Sequence, residues 1–436
     1  MTPPPTDQIV IPSARRLMES LRDIGYDTPA AVADLVDNSI DADARNIDVT
    51  VAAEGAESWV RIADDGAGMS AGRLDEAMRY GSSRTYGDED LGAFGLGLKT
   101  ASLSQCRRLT VATRTSVGGK IEIRRWDLDR VARRDAWELQ RLTPGRCAPH
   151  LIEPLRQKSG TVVLWERLDR VLDYARPDGQ MAMKRLEGVT GEVGDHLAMV
   201  FHRFLSGELR RGRARIAITI NGDWLEAWDP FARDEPATRE LPRQQLSFKD
   251  GGRSHRVGVR AYILPNQVQF SSPEVHARAG GPKRWNRQQG LYIYRRDRLI
   301  QSGGWNRLRT ADEHSKLARI AVNIPPSGDG AFRTNVSKMN VILPAELRPA
   351  LRTLASGVVA QAQDAYRQRM QLVKPETSPD SPELELTGGW RLGDDWGTLV
   401  EILESELRDQ PVRLRRILAR LAGVPADDDG DAAAGL

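Results

Sequence analysis

Apolar and polar positions along the first part of the chain switch between two periods. From Thr28 to about Ala44, Val32, Leu35, Val36 and Ile40 recur at helical spacing. The pattern predicts an amphipathic helix with Thr28 as its cap and Pro29 in its first turn. Ile47–Val51 and Trp59–Ala63 alternate apolar and polar side chains, as half-buried strands do. A second helix is expected over Ala71–Tyr80, and strands over Leu109–Thr113, Lys120–Arg124 and Thr161–Trp165. Between the second helix and these strands, glycines at 81, 87, 92, 95 and 97 are too dense for a regular element. A short helical stretch, Leu98–Ser104, follows them.

Further on, residues 181–206 read as helix, with Leu197, Val200, Phe201 and Phe204 on one face. Asn221-Gly222 between Ile216–Ile220 and Asp223–Leu225 predicts a tight hairpin, since that dipeptide favours the primed turns. His255–Leu264 and Leu291–Tyr294 are strand candidates, and Ala350–Val373 is a long helical stretch opened by Pro349. The sequence therefore divides into 1–170, a mixed α/β layer; 171–373, a second α+β domain; and a Pro/Ser-rich linker at 374–383. A small helical piece at 384–424 and a disordered acidic tail at 425–436 complete the expected organisation.

Composition narrows the classes. The 436 residues are 40% apolar and 28% charged, which fits an ordinary globular protein and leaves room for a sizeable core. No run approaches the roughly 18–20 apolar residues of a membrane span, and the N-terminus lacks the charged-then-apolar order of a secretory signal. Two cysteines, Cys106 and Cys147, exclude a disulfide framework and suit a cytoplasmic location. The net charge of +3 is unevenly spread: −9 over residues 1–100, +19 over 101–370 and −7 over 371–436. One region is built around acids, and another is suited to an anionic partner.

The acids have a pattern. On the first helix, Asp34, Asp37, Asn38 and Asp41 gather opposite the apolar face. Like charges so spaced cost about a few tenths of a kcal/mol per pair, so the stripe is either a solvated face or a means of holding a cation or water. Asp64-Asp65-Gly66-Ala67-Gly68 follows a strand directly, where a carboxylate can accept a hydrogen bond from an exocyclic amine and glycines let backbone approach a flat ring. Gly92-Ala-Phe-Gly95-Leu-Gly97-Leu98-Lys99 enters a helical stretch whose free amides favour phosphate. It is neither a Walker A loop nor a Rossmann turn.

In this order and spacing, the helix motif from Ala33 to Ala42, Asp64–Gly68, Gly92–Lys99 and Ser159-Gly160-Thr161 resemble the four-motif signature of the GHKL ATPases. That superfamily holds gyrase B subunits, ninety-kilodalton heat-shock chaperones, histidine kinases, and the MutL and MORC proteins. The second half looks most like MORC- and MutL-type members, through Asn221-Gly222, Asp229-Pro230-Phe231 and Gly290–Ile300. The resemblance implies an α+β chain: an N-terminal Bergerat α/β sandwich, then a ribosomal-S5-like transducer domain.

Carried over residue by residue, it implies ATP and Mg²⁺ as ligands. Asn38 would coordinate the metal, and Asp64 would bind the adenine amine. Gly66 and Gly68 would line the ring pocket with Met69. Gly92, Gly95 and Gly97 would let a lid wrap the phosphates, with Leu98 and Lys99 close by, and Thr161 would support Asp64 through a water. Lys338, in Arg333-Thr-Asn-Val-Ser-Lys338, would reach the terminal phosphate from the transducer. Asp34 takes the position of the general base, where the superfamily normally has Glu. It is shorter by one C–C bond, about 1.5 Å, which predicts slow hydrolysis.

These expectations amount to an ATPase whose bound nucleotide orders the lid over Tyr80–Gly95 and drives N-terminal homodimerisation, acting as a nucleotide-gated clamp on DNA. The alternative is a nucleotide-gated protein-binding module with little hydrolysis. Arg278–Arg319, with 11 Lys/Arg against 3 Asp/Glu and Trp285, Tyr292, Tyr294 and Trp305 interleaved, is the expected nucleic-acid contact. The same stretch would equally serve as an interface for the acidic N-terminal domain or a partner protein. A sensor kinase is disfavoured, because no phospho-acceptor helix is visible. Repair, chromosome organisation, chaperoning and anti-phage defence all use this engine, and fold does not decide among them.

Overall fold

Asp27, not Thr28, caps the acidic helix: its carboxylate accepts the Ala30 amide at 2.8 Å. Thr28 instead turns its hydroxyl to Gln105, 2.7 Å away. The helix ends at Asp41 rather than Ala44, because Asp43 takes a left-handed φ of 60° and turns the chain into the first strand. The structure, a computed structural model, describes residues 11–23, 26–80, 97–174, 176–209, 213–328, 330–334 and 341–372. The linker, the C-terminal piece, the tail, Gly92, Gly95 and Lys338 lie outside the described residues.

The described helices are α1 (Ala14–Arg22), α2 (Thr28–Asp41), α3 (Ala71–Met78), α4 (Gly97–Leu103), α5 (Leu128–Arg134), α6 (Pro149–Ile152), α7 (Gln180–Val200), α8 (His202–Ser206), α9 (Pro273–Gly280), α10 (Arg284–Gln288) and α11 (Arg348–Leu372). The expected helix over 181–206 is thus two helices, interrupted at Phe201.

The first sheet is built from β1 (Asn46–Ala52), β2 (Trp59–Asp64), β3 (Arg108–Arg114), β4 (Glu122–Asp127), β5 (Gln140–Leu142), β6 (Gly160–Glu166), β7 (Ala217–Ile220) and β8 (Asp223–Trp224). Its spatial order is β5-β4-β3-β6-β2-β1-β7-β8, antiparallel except where β1 meets β7. The Asn221-Gly222 hairpin forms as expected, with φ of 51° and 92°. It joins this first sheet, however, beside β1 and well past residue 170. Its alternating apolar residues Ile218 and Ile220 give it a face to bury against α7, where Gly194 leaves room for Ile220.

The second sheet holds β9 (Arg239–Glu240), β10 (Gln244–Asp250), β11 (Arg253–Ile263), β12 (Gly290–Arg295), β13 (Arg298–Ser302) and β14 (Ala318–Ile324), in the order β10-β11-β14-β12-β13 with β9 beside β11. A small pair, β15 (Arg333–Thr334) and β16 (Val341–Ile342), precedes α11. The chain has the expected α+β class, with two large sheets and one small pair among the described residues. The described residues up to Tyr366 pack as one unit.

Both faces of the first sheet are covered. Val60 and Ile62 of β2 and Val163 and Trp165 of β6 face the main core under α2 and α7, which continues into the second sheet. Trp59, Ala63, Val162 and Leu164, alternating with them, face a small core closed by Leu151 and Leu155. No helix among the described residues is long and apolar enough to cross a membrane.

Candidate functional site: the acidic helix and the turn after β2

The acidic stripe on α2 is not a solvated face. Asp34 is 4% exposed and Asp37 fully buried, whereas Asn38 is exposed and Asp41 half-buried. Three elements account for this. Tyr26, just before the helix, donates its hydroxyl to Asp34 Oδ2 at 2.9 Å. Gly97, the first residue of α4, stands beside the same oxygen: a Cβ there would lie 3.7 Å from it. From the second sheet, Arg298 places its Nε 2.8 Å from the Asp37 carboxylate and its terminal nitrogen 3.8 Å from Asp34 Oδ1.

Asp64 closes β2 at 5% exposure, with three donors around it. Its Oδ1 accepts the Gly66 amide at 2.9 Å and the Thr161 amide at 3.1 Å. Its Oδ2 accepts the Ser39 hydroxyl at 3.0 Å. Burial pushes its carboxyl above the ordinary range against the pull of those hydrogen bonds. The link to Thr161 is therefore direct, through the backbone amide. The Thr161 hydroxyl pairs with Thr113 at 3.1 Å, and Thr113 also accepts the Met69 amide and donates to the Gly160 carbonyl, both at 2.9 Å.

Ser39 matters for a second reason. It follows Asn38 on α2, so the hydrogen bond to Asp64 joins the helix end that carries Asn38 to the turn that carries Asp64. The Ala67 amide, donating to the Ala42 carbonyl at 2.8 Å, makes the same connection through backbone. Gly66 and Gly68 are needed for this close packing: a Cβ on Gly66 would lie 2.6 Å from the Ala42 carbonyl oxygen. Gly68, at φ 64°, would bring its Cβ within 2.1 Å of the Arg114 carbonyl oxygen.

Asp64, Gly66, Gly68, Met69 and Thr161 are thus gathered at one end of the first sheet beside the end of α2 that carries Asn38, with Asp34 one helical turn earlier on α2 and Gly97 of α4 next to Asp34. Met69, Gly97 and Leu98 are half-buried. Lys99 points elsewhere. It is 1% exposed, donates to the Ala77 carbonyl at 2.9 Å, and burial lowers its ammonium to about 8. No group of three or more His, Cys, Asp or Glu among the described residues is arranged to hold a metal. The exposed Asn38 amide, with no side-chain partner among the described residues, suits a hard cation that takes most of its ligands from phosphate and water.

The basic stretch Arg278–Arg319 is not the continuous surface expected. Arg296, Arg298 and Arg319 are buried, and Arg278, Arg309 and Lys316 pair with Glu226, Asp312 and Glu313. Tyr292, Tyr294 and Trp305 are buried as well, so those rings present no stacking face. β12 is an interior strand, and its aromatic side chains are core on both sides. Lys283, Arg284, Arg287 and Arg307 remain exposed.

Tyr26, Ser39, Thr113 and Arg298 were missed in the sequence. Ser39 lay inside the recognised motif, and its position beside Asn38 was a usable signal. Arg298 had none, because its partner Asp37 is 261 residues away.

The chain matches the histidine kinase-, DNA gyrase B- and HSP90-like ATPase family over residues 26–161. It is 35% identical over 141 residues to the DNA mismatch repair protein MutL of Pseudomonas putida (strain W619), covering 31% of this chain and 19% of that protein. Against MutL of Rhodospirillum rubrum it is 36% identical over 94 residues, covering 21% and 15%. Against MutL of Pseudomonas entomophila (strain L48) the identity is 33% over 141 residues, covering 31% and 20%. The chain thus spans about a fifth of the length of the curated relatives it matches. The residues gathered from α2, the turn after β2 and the start of β6 fall within this match, and residues 26–161 form a GHKL-type domain that is MutL-like.

Proposed function

We propose that the chain binds Mg-ATP between α2 and the turn after β2, and hydrolyses it slowly to drive a clamp formed by two copies. The observation that carries this reading is the hydrogen bond from Ser39 to Asp64, which ties the helix end that carries Asn38 to the turn that carries the acid read here as the adenine acceptor. In this reading Asp64 accepts the adenine amine, supported by the Thr161 amide, and Gly66, Gly68 and Met69 form the edge of the ring pocket. Mg²⁺, held by Asn38, would neutralise phosphate charge when bound. Gly92, Gly95 and Gly97 would wrap the phosphates with Leu98 near them, Lys99 being turned to the Ala77 carbonyl instead, and Lys338 would reach the terminal phosphate.

Asp34 is the base in this scheme. A base must come within about 3 Å of the attacking water, and phosphoryl transfer otherwise rests on positioning and charge neutralisation. Lid closure over Tyr80–Gly95 and N-terminal homodimerisation would follow nucleotide binding, an order–disorder switch. The exposed Lys283, Arg284, Arg287 and Arg307 are residues of the basic stretch left to contact DNA. MORC-like action, repair or defence are settings in which such a clamp would work.

The second reading, a nucleotide-gated protein-binding module with little hydrolysis, draws on Asp34 itself, a short acid already engaged by Tyr26 and Arg298. Steady-state ATP turnover separates the two. The ATPase reading expects measurable wild-type turnover that Asp34→Ala abolishes. A chain that binds ATP and shifts to a dimer in gel filtration without turnover supports the module instead.

A further inference from the structure

The turn joining β12 to β13 buries an uncommon amount of charge. Its residues Arg295-Arg296-Asp297-Arg298 carry three positive charges and one negative, yet the last three are each 5% exposed or less. Arg296 and Asp297 also take left-handed backbone, at φ 51° and 69°. The Asn221-Gly222 hairpin reaches the same conformation with residues that tolerate it. Here Arg296, which lacks the tolerance of Asn, Asp or Gly, takes it too, which persists where the surroundings over-determine the fold.

Those surroundings are specific. Asp297 lies 3.6 Å from the Arg203 guanidinium. Arg203 in turn sits 3.4 Å over the Tyr294 ring and donates to Asn323 at 2.7 Å. The turn is thereby fixed to α8 and β14, and it aims Arg298 at α2. Arg298 holds Asp37 at 2.8 Å and stands 3.8 Å from Asp34 Oδ1, while Tyr26 engages Asp34 Oδ2. One oxygen of Asp34 is thus held by a hydrogen bond from its own end of the chain, and the other faces the charge of Arg298 at ion-pair distance rather than through a hydrogen bond. An apolar contact of the same size would also dock the sheet on α2, but it would not orient a carboxylate. A planar guanidinium does.

We propose that Arg298 is a positioning residue for ATP hydrolysis: by gripping Asp37 and facing Asp34 it sets the aim of the base, so turnover requires the second sheet to be docked on α2. This rests on the reading of Asp34 as the base. The requirement is sharper for aspartate than for glutamate, because a displacement of about 1 Å in a reacting group costs on the order of 100-fold in rate.

The test uses the full chain with Arg298→Gln, which removes the charge but keeps a polar side chain able to donate hydrogen bonds, and Arg298→Lys, which keeps charge. Turnover is measured beside the affinity for a non-hydrolysable ATP analogue. Arg298→Gln is expected to lower kcat by roughly 10- to 100-fold, with analogue affinity within about threefold of wild type and Arg298→Lys falling between. Unchanged kcat in Arg298→Gln overturns the proposal, as does a loss of analogue affinity matching the loss of kcat. If Arg298→Gln does not fold, Arg298→Lys decides by the same criteria. Asp34→Ala, run in parallel, separates the two layers: if it turns over like wild type, or the wild type turns over nothing, the base reading fails and takes this one with it. If Asp34→Ala is dead and Arg298→Gln is not slowed, only the role of Arg298 fails.

Discussion

At the scale of single residues, the site depends on a few atoms that leave no space. Gly68 combines a left-handed φ with a Cβ position 2.1 Å from the Arg114 carbonyl oxygen. Gly68→Ala therefore meets both backbone strain of about 1–3 kcal/mol and a clash that moves β3 or the turn. Chemical denaturation should show a lower midpoint, and nucleotide affinity should fall with it. Gly72, with nothing within 4 Å of its Cβ position, is the control that tolerates alanine. Asp64 illustrates how far the sequence could go. Its place at a strand end was readable from Ile62 and the glycines that follow. Its partners were not, because Thr161 comes from a strand 97 residues on and only the sheet order brings them together.

Among elements, α2 is the centre of the account, and the one best read in advance. Its helical period, proline-marked start and motif were all local features. Its burial was not: opposite charges from elsewhere convert the polar side into interior. The sequence showed Arg298 as one of many basic residues, and β14, with seven consecutive residues of which six are buried, gave no alternation to read. Interior strands lose the period-2 signal, which is also why Tyr292 and Tyr294 were expected at a surface. The pairing across α2 is testable by stability. Asp37→Leu leaves Arg298 buried without its nearest carboxylate and should cost about 3–5 kcal/mol. Adding Arg298→Met should return most of that loss, so the two changes are strongly non-additive. Additive losses in urea titrations would mean that the two side chains do not act as a pair.

For the whole molecule, the two sheets share one core, and that core contains a titratable group. His202 is 1% exposed, sits 2.9 Å from the Tyr294 hydroxyl, and is pushed down to about 3 by burial first and the neighbouring Arg203 second. An unfolded histidine titrates near 6.5. Between about pH 6.5 and about 3 the unfolded chain therefore binds a proton that the folded chain does not. The stability present above pH 6.5 is lost as pH falls through that window, by up to about 1.4 kcal/mol per pH unit from this group. Denaturation midpoints should drop from pH 7 to pH 5, and His202→Gln should flatten that dependence. A slope unchanged in His202→Gln would place its cause in other groups.

The candidate site is built from three separated stretches, α2, the turn after β2 and the start of β6, which hydrogen bonds to Asp64 bring to one point. The claim that they form a single ATP site is tested most directly by titrating the full chain with a non-hydrolysable ATP analogue in the presence of Mg²⁺, for wild type and Asp64→Asn, with circular dichroism confirming that both are folded. The account predicts saturable binding by the wild type and at least about tenfold weaker binding by the variant, a loss of about 1.4 kcal/mol or more. Equal affinities in two folded proteins would contradict it.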